Sequence, residues 1–386
     1  MGKSTNGKLI LPALTASRIV PQARNLLTTF LLIEIGQTYG TSIGLTNQIK
    51  TFNSIAAVLA ALTMGFLSVR YKQRTLLIVG LSLSIISVIG CYSAPSFITL
   101  VIMYSLGGVA GNTILPMTTS LLGEHVPRKD RTKSLGWLMA GPAALYIVGY
   151  PLVNYIDDWR MSFLLFVLPI ILVALLLTII GVPKHQSTPP RTDILAGYKG
   201  ILSNKSAVAC LVSYGLGLGA WQITLSLSTS NLRQQFLISR DVVVWITILN
   251  AMMYIAGALV SRKVVSRYGV KYSSMFLNVI LGGFTICRFI VPDVILAIVL
   301  SAIVCVVAGL RSAAVSGLNL EQVPDLRGSM MSLTDAFGSI GNVLSLSLGG
   351  YLLVVFNWGI MGSIIGSFGF LAGLILHMFV KEQSKT

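Results

Sequence analysis

Three charged residues stand well inside apolar stretches of this chain: Glu34, Arg311 and Asp335. A charge at the centre of a bilayer costs about 2.5–3.5 kcal/mol on insertion scales, so each is read as functional. A carboxyl moved between apolar and wet surroundings can take up and release a proton. That chemistry assigns Glu34 and Asp335 to proton coupling. Glu34 opens a polar stripe, with Gln37, Thr41 and Gln48 following on one helical face. Asp335, Ser339 and Asn342 make a second stripe. Arg311 has two roles open to it. It pairs with Asp335, as a fixed neutralising bridge or a switch, or it binds an anionic solute through its forked donors.

Other polar and aromatic residues recur within apolar runs. They are Asn112, then Tyr146 and Tyr150, then Trp221 and Gln222, with Tyr214 and Ser228 a heptad either side of Trp221, then Asn250 and Tyr254. An aromatic and amide lining suits a moderately polar organic solute. Each residue alone also serves as packing glue between helices.

These residues need elements to hold them. The chain has 386 residues, 54% of them hydrophobic and only 10% charged, against about 25% charged in a typical soluble domain. Mean hydropathy is +0.81. A disordered chain, collagen and a disulfide-stapled secreted module are excluded. A membrane-embedded enzyme would need a cluster of His, Cys, Ser or metal ligands. The three histidines are scattered, and Cys91, Cys210, Cys287 and Cys305 have no ligand spacing and read as small buried hydrophobes. No cofactor, metal or ATP-binding motif is expected.

Apolar runs of spanning length lie at about 26–46, 52–69, 75–94, 97–122, 135–156 and 161–181. After a polar stretch come six more, at about 207–229, 242–262, 273–291, 294–319, 331–355 and 359–380. The predicted fold is an all-α membrane protein of 12 transmembrane helices in two six-helix halves. Its organisation reads as a cytoplasmic tail (1–25), an N-terminal half (26–182), a cytoplasmic linker (183–206), a C-terminal half (207–380) and a tail (381–386). The net charge of +16 sits in short loops between apolar runs, so it reports topology rather than a nucleic-acid partner. Of 28 Lys and Arg residues, 22 fall on the side of the termini and 5 opposite, with Arg311 inside a span. Cytoplasmic termini, a plasma-membrane location and a monomer follow as expectations.

The two halves echo each other. Arg70 and Arg267, and Pro127 and Pro324, stand 197 residues apart in equivalent loops; Trp159 and Trp358 stand 199 apart. Two halves repeated in one orientation form the plan of a rocking transporter. The run Gly65-Phe66-Leu67-Ser68-Val69-Arg70-Tyr71-Lys72-Gln73-Arg74 resembles the loop signature of the major facilitator superfamily, G-x-L-x-D-R-x-G-R-[RK]. Ser266-Arg267-Tyr268-Gly269-Val270-Lys271 resembles its weaker duplicate. The chain departs from the signature at Val69, where the family carries an acid, and at Lys72, where it carries a glycine. The resemblance implies alternating access, with gating loops at Gly65, Arg70 and Arg74 and at Arg267, Gly269 and Lys271. The bland reading is that Arg70, Lys72 and Arg74 cap the end of the second helix. Gly141-Pro142 with Gly149-Tyr150-Pro151 resembles in part the fifth-helix motif of drug/proton antiporters, whereas Tyr104 stands where that subgroup carries an arginine. The function expected is secondary transport of a small organic solute, coupled to protons, with efflux as one direction open to it. The alternatives are uptake of an organic anion through Arg311, and a non-transporting receptor or scaffold.

Overall fold

A computed structural model describes residues 9–126, 131–183, 194–323 and 326–380. The tails at 1–8 and 381–386, the loop at Arg128, the linker segment with Pro189 and Pro190, and Pro324 lie outside the described residues, as does the surrounding of Gly65 within its helix. Among the described residues all regular structure is helical: α1 (Ile10–Phe30), α2 (Leu32–Tyr39), α3 (Ile43–Arg70), α4 (Gln73–Tyr92), α5 (Phe97–His125), α6 (Arg131–Ile156), α7 (Trp159–Ser162) running through a π-helical turn (Phe163–Val167) into α8 (Leu168–Gly181), α9 (Ile194–Ser203), α10 (Lys205–Gln234), α11 (Arg240–Tyr268), α12 (Val270–Ile290), α13 (Val294–Gln322), α14 (Arg327–Val355) and α15 (Trp358–Phe379). Among the described residues, nine helical spans are long and apolar enough to cross a membrane. The expected count of twelve needs three more. α1, α3 and α6, of 21, 28 and 26 residues, have the length.

The first helix starts at Ile10, not near residue 26. Arg18 and Arg24 break the apolar run, so the segment reads as a tail. In the structure Ala13, Leu14, Val20, Ala23 and Arg24 itself are all buried. The linker region also holds structure, since α9 lies within it.

The chain forms two compact units. One comprises Met1–Thr41 and Phe52–Arg191, the other Ser42–Thr51 and Thr192–Thr386. Helix α3 therefore contributes its first turns to the second unit. There the Asn47 amide donates to the Leu346 carbonyl at 3.3 Å and Gln48 to that of Ser347 at 3.2 Å.

The internal repeat extends to the helix caps. Ser96 accepts from the Thr99 N–H at the start of α5, and Asp293, 197 positions on, accepts from Leu296 at the start of α13. Asp158 and Asn357 cap α7 and α15 alike. Such caps satisfy amides that have no partner inside the helix. Lacking a hydrophobic drive in lipid, helices associate by close backbone approach over small residues. In the second unit, Gly282 of α12 meets Gly366 and Gly369 of α15.

The two signature loops differ in backbone. Gly269 caps α11 at φ +81°, ψ 157°, a region open essentially to glycine alone. Lys72, its counterpart, sits at φ −63°, ψ 136°, where any residue fits. This explains why the first loop does without the signature glycine. Gly269→Ala is expected to cost about 1–3 kcal/mol, whereas Lys72→Gly should cost a few tenths. Thermal unfolding of the two purified variants checks the contrast; equal losses would refute it.

Candidate functional site

In the first unit the backbone bends at Leu31, and α2 begins with Glu34 in its first turn, half-buried. A carboxylate is favoured there by the helix dipole. α2 then stops. Gly40 takes φ +63°, and the Thr41 N–H reaches the Gly36 carbonyl at 2.9 Å, a left-handed helix end. The expected stripe from Glu34 therefore holds through exposed Gln37 and ends at half-buried Thr41; Gln48 belongs to α3 and does not share the face. The far end of α2 is clasped. Trp159 Nε1 donates to Thr38 Oγ1 at 2.9 Å, and Thr38 donates to the Glu34 carbonyl at 2.9 Å. Arg160 donates to Tyr39 Oη and to the Tyr92 carbonyl, with its guanidinium 4.5 Å from the Trp159 ring.

A second charge lies within the helices of this unit. Arg24, buried on α1, donates to Asn53 Oδ1 at 2.9 Å, to the Tyr104 carbonyl at 3.0 Å and to Ser87 Oγ at 3.3 Å. Its guanidinium lies 4.5 Å over the Tyr104 ring, and the Tyr104 hydroxyl bonds Thr28. Beside Tyr104 of α5, the cation comes from α1. Gly107 makes the space: a Cβ there would fall on Arg24 Nη1. Tyr146 donates to Gln22 at 3.1 Å and stacks obliquely on buried Tyr150, which meets Phe30 edge-on. Asn112 is half-buried on α5.

The signature loops contribute differently from the expected cap on the second helix. Arg74 donates to the Ile179 carbonyl at 2.9 Å, at the end of α8 rather than α3. Arg70 is exposed, as is Arg267, which lies over the Tyr268 ring at 5.5 Å; Lys271 lies over Tyr272 at 6.0 Å.

The second unit brings together more of the expected residues. Trp221 of α10 stacks on Tyr254 of α11 with centroids 5.6 Å apart and planes at 14°, both rings half-buried. One turn before Tyr254, the Asn250 amide donates to Ser301 at 3.0 Å, while its buried Oδ1 has no hydrogen-bond partner among the described residues. Gln222 is half-buried beside Trp221. Arg311 of α13 is 2% exposed. Its Nε donates to Asn278 Oδ1 at 2.6 Å and Nη2 to the Tyr214 carbonyl at 3.2 Å. Gly217 admits this pair, since a Cβ there would meet both Asn278 Oδ1 and Arg311 Nη2. The Arg311 guanidinium lies 5.9 Å from the Tyr214 ring centre, the Tyr254 carbonyl packs against Gly309 two residues before Arg311, and Gly338 of α14 packs against the Tyr214 ring. Asp335 is exposed on α14, with Ser339 Oγ bonded to its carbonyl at 2.9 Å and Asn342 half-buried a turn further on.

Two buried cations counted opposite the termini belong to helices. Lys50 is buried in α3. Arg288 is buried in α12, donating to Asn231 Oδ1 and to Ser228 Oγ. Cys287 beside it is exposed, unlike the other three cysteines.

The repeat links the polar centres of the two units. Asn53 and Asn250, Tyr104 and Ser301, and Arg24 and Trp221 each stand 197 residues apart. One unit thus carries a cation where the other carries an indole. Against known proteins, the profile of the Major Facilitator Superfamily matches residues 16–229 and 209–386. The chain belongs to the Major Facilitator Superfamily. This transporter is similar to an uncharacterised MFS-type transporter, YceJ, of Bacillus subtilis (strain 168), at 22% identity over 302 residues, 78% of this chain and 77% of the relative. In fold it is similar to a crystal structure of a point mutant of the nucleoside transporter NupG, with TM-score 0.81, 13% identity and coverage of 97% and 100% of the two chains. It is similar likewise to the D-xylose-proton symporter, with TM-score 0.78, 15% identity and coverage of 97% and 98%. The protein is therefore a multi-pass membrane protein and a secondary transporter rather than an enzyme.

Proposed function

We propose that this transporter moves a small organic solute by alternating access and couples the movement to protons. The observation that carries the reading is Glu34. It sits half-buried at the head of a short helix that is broken from α1 at Leu31 and closed by Gly40. A carboxyl at such a break meets an apolar wall in one conformation and water in another, and a difference between two states is what coupling requires. Asp335, on the helix beside Tyr214, is the second coupling candidate. The half-buried aromatic and amide groups of the second unit suit a moderately polar solute. Similar folds include proteins described as a nucleoside transporter and a D-xylose-proton symporter. With Arg18 and Arg24 set aside as members of α1, the basic residues of the expected inner side, among them Arg70, Arg74 and Arg267, support cytoplasmic termini.

Glu34→Gln mimics the protonated acid. It is expected to keep the fold and solute exchange, and to abolish accumulation driven by an imposed pH gradient. Transport in proteoliposomes, with and without that gradient, decides it. Accumulation at the wild-type level in Glu34→Gln would pass the role to Asp335.

A further inference from the structure

The charged side chains that are buried among the described residues are Arg24, Lys50, Arg288 and Arg311, all cations. The three arginines share a mode of burial. Each is held by an asparagine carbonyl on a neighbouring helix: Asn53 for Arg24, Asn231 for Arg288, Asn278 for Arg311. Their remaining acceptors are hydroxyls and backbone carbonyls. An asparagine orients a guanidinium without neutralising it. An un-neutralised cation away from water carries a desolvation cost of several kcal/mol, and such residues in membranes mark pathways for charge.

Arg311 has more donor capacity left than Arg24. Arg24 reaches three acceptors and Arg311 two, through Nε and Nη2; Nη1 has no acceptor among the described residues. A guanidinium presents its donors as a flat fork that matches a carboxylate. Arg288 also lies over a stacked pair, Phe289–Trp358, but Phe289 is buried; near Arg311 both rings of the Trp221–Tyr254 stack are half-buried, and the Tyr254 carbonyl packs against Gly309, two residues before Arg311. A cation with open donors at the edge of a flat aromatic surface is a two-part site.

We infer that the solute is a planar organic anion, its anionic group seated on Arg311 and its flat body on the Trp221–Tyr254 pair. This rests on the transport reading and narrows it. The solute's charge supplies what Asn278 cannot, and Gly217 keeps the guanidinium within reach of both.

The test uses the purified full-length protein and matched pairs of probes: benzoate with benzamide, and nicotinate with nicotinamide. Each acid is expected to raise the unfolding temperature and to bind at least tenfold more tightly than its amide. Arg311→Gln should erase the preference for the acid. Arg311→Lys, which keeps the charge and loses the fork, should retain part of it and serves if Arg311→Gln does not fold. Trp221→Ala should weaken acid and amide together, leaving their ratio intact. Amides that bind as well as the acids overturn the inference, and so does a panel in which no acid binds. Flux assays separate it from the transport reading. A neutral or cationic solute carried across proteoliposomes leaves transport standing and removes the anion. An anion that binds and never crosses removes transport and leaves the site.

Discussion

Replacing Gly107 by alanine is expected to expel Arg24 from its seat and to cost about 3–5 kcal/mol, the usual cost of breaking the partners of a buried charge, because the charge stays buried without compensation. The added Cβ would coincide with Arg24 Nη1 and crowd Ser87 Oγ. The guanidinium would then lose Asn53, the Tyr104 carbonyl and the face of the Tyr104 ring together. The midpoint of thermal unfolding should fall by several degrees or more. The double variant Gly107→Ala/Arg24→Met should recover much of the loss, since removing the charge removes the object of the clash. An unchanged midpoint for Gly107→Ala alone would mean that the guanidinium finds another seat at no cost.

The second large effect is expected at Gly341. A Cβ there meets the backbone of Gly215, and a Cβ on Gly219 would meet the Gly341 carbonyl in turn. The two helices α10 and α14 touch main chain to main chain, so neither side can yield as a flexible side chain would. Overpacking a well-filled interior costs about 1–3 kcal/mol and sometimes more. Gly341→Val should lie at the upper end and leave little monodisperse protein after extraction. Gly123→Ala is the control: a Cβ there meets nothing within 4 Å, and alanine is the better helix former by roughly 0.5–1 kcal/mol. Size-exclusion profiles and unfolding midpoints of both variants test the contrast. Equal behaviour would show that the α10–α14 seam is looser than its geometry implies.

Helical class, membrane character and the two-fold repeat were all legible in the sequence, because each depends on composition and spacing summed over many residues. What escaped were decisions made by single contacts. Arg24 looked like a tail residue since a cation is costly in an apolar helix; only Asn53, Ser87 and Tyr104, distant in sequence, make it tolerable. Arg288 escaped for the same reason, with Asn231 and Ser228 as its unseen partners. A signal was present in each case, an asparagine inside another apolar run. The end of α2 had a plainer signal in Gly40, the residue that closes helices in the left-handed conformation. Reading a continuous stripe through it placed Gln48 on the wrong helix. Arg74 could not be assigned to α8 from spacing, because nothing local brings Ile179 to it.

The arginine on α1 bears on the order in which the chain becomes a membrane protein. α1 is made before the other helices of its unit, yet it is not among the helices apolar enough to cross on composition alone. An arginine within a span adds up to about 2.5–3.5 kcal/mol to the cost of leaving the insertion machinery for lipid. The groups that relieve it sit on α3, α4 and α5: Asn53, Ser87 and Tyr104. They emerge from the ribosome only after α1 has been synthesised. The helix made earlier is thus the one that depends on later ones. It has to linger at the membrane's edge, or cross and be held there, until four helices can settle as a group. Biogenesis of the first unit is in this sense collective, and it waits on the delivery of Tyr104 to a cation made some eighty residues earlier.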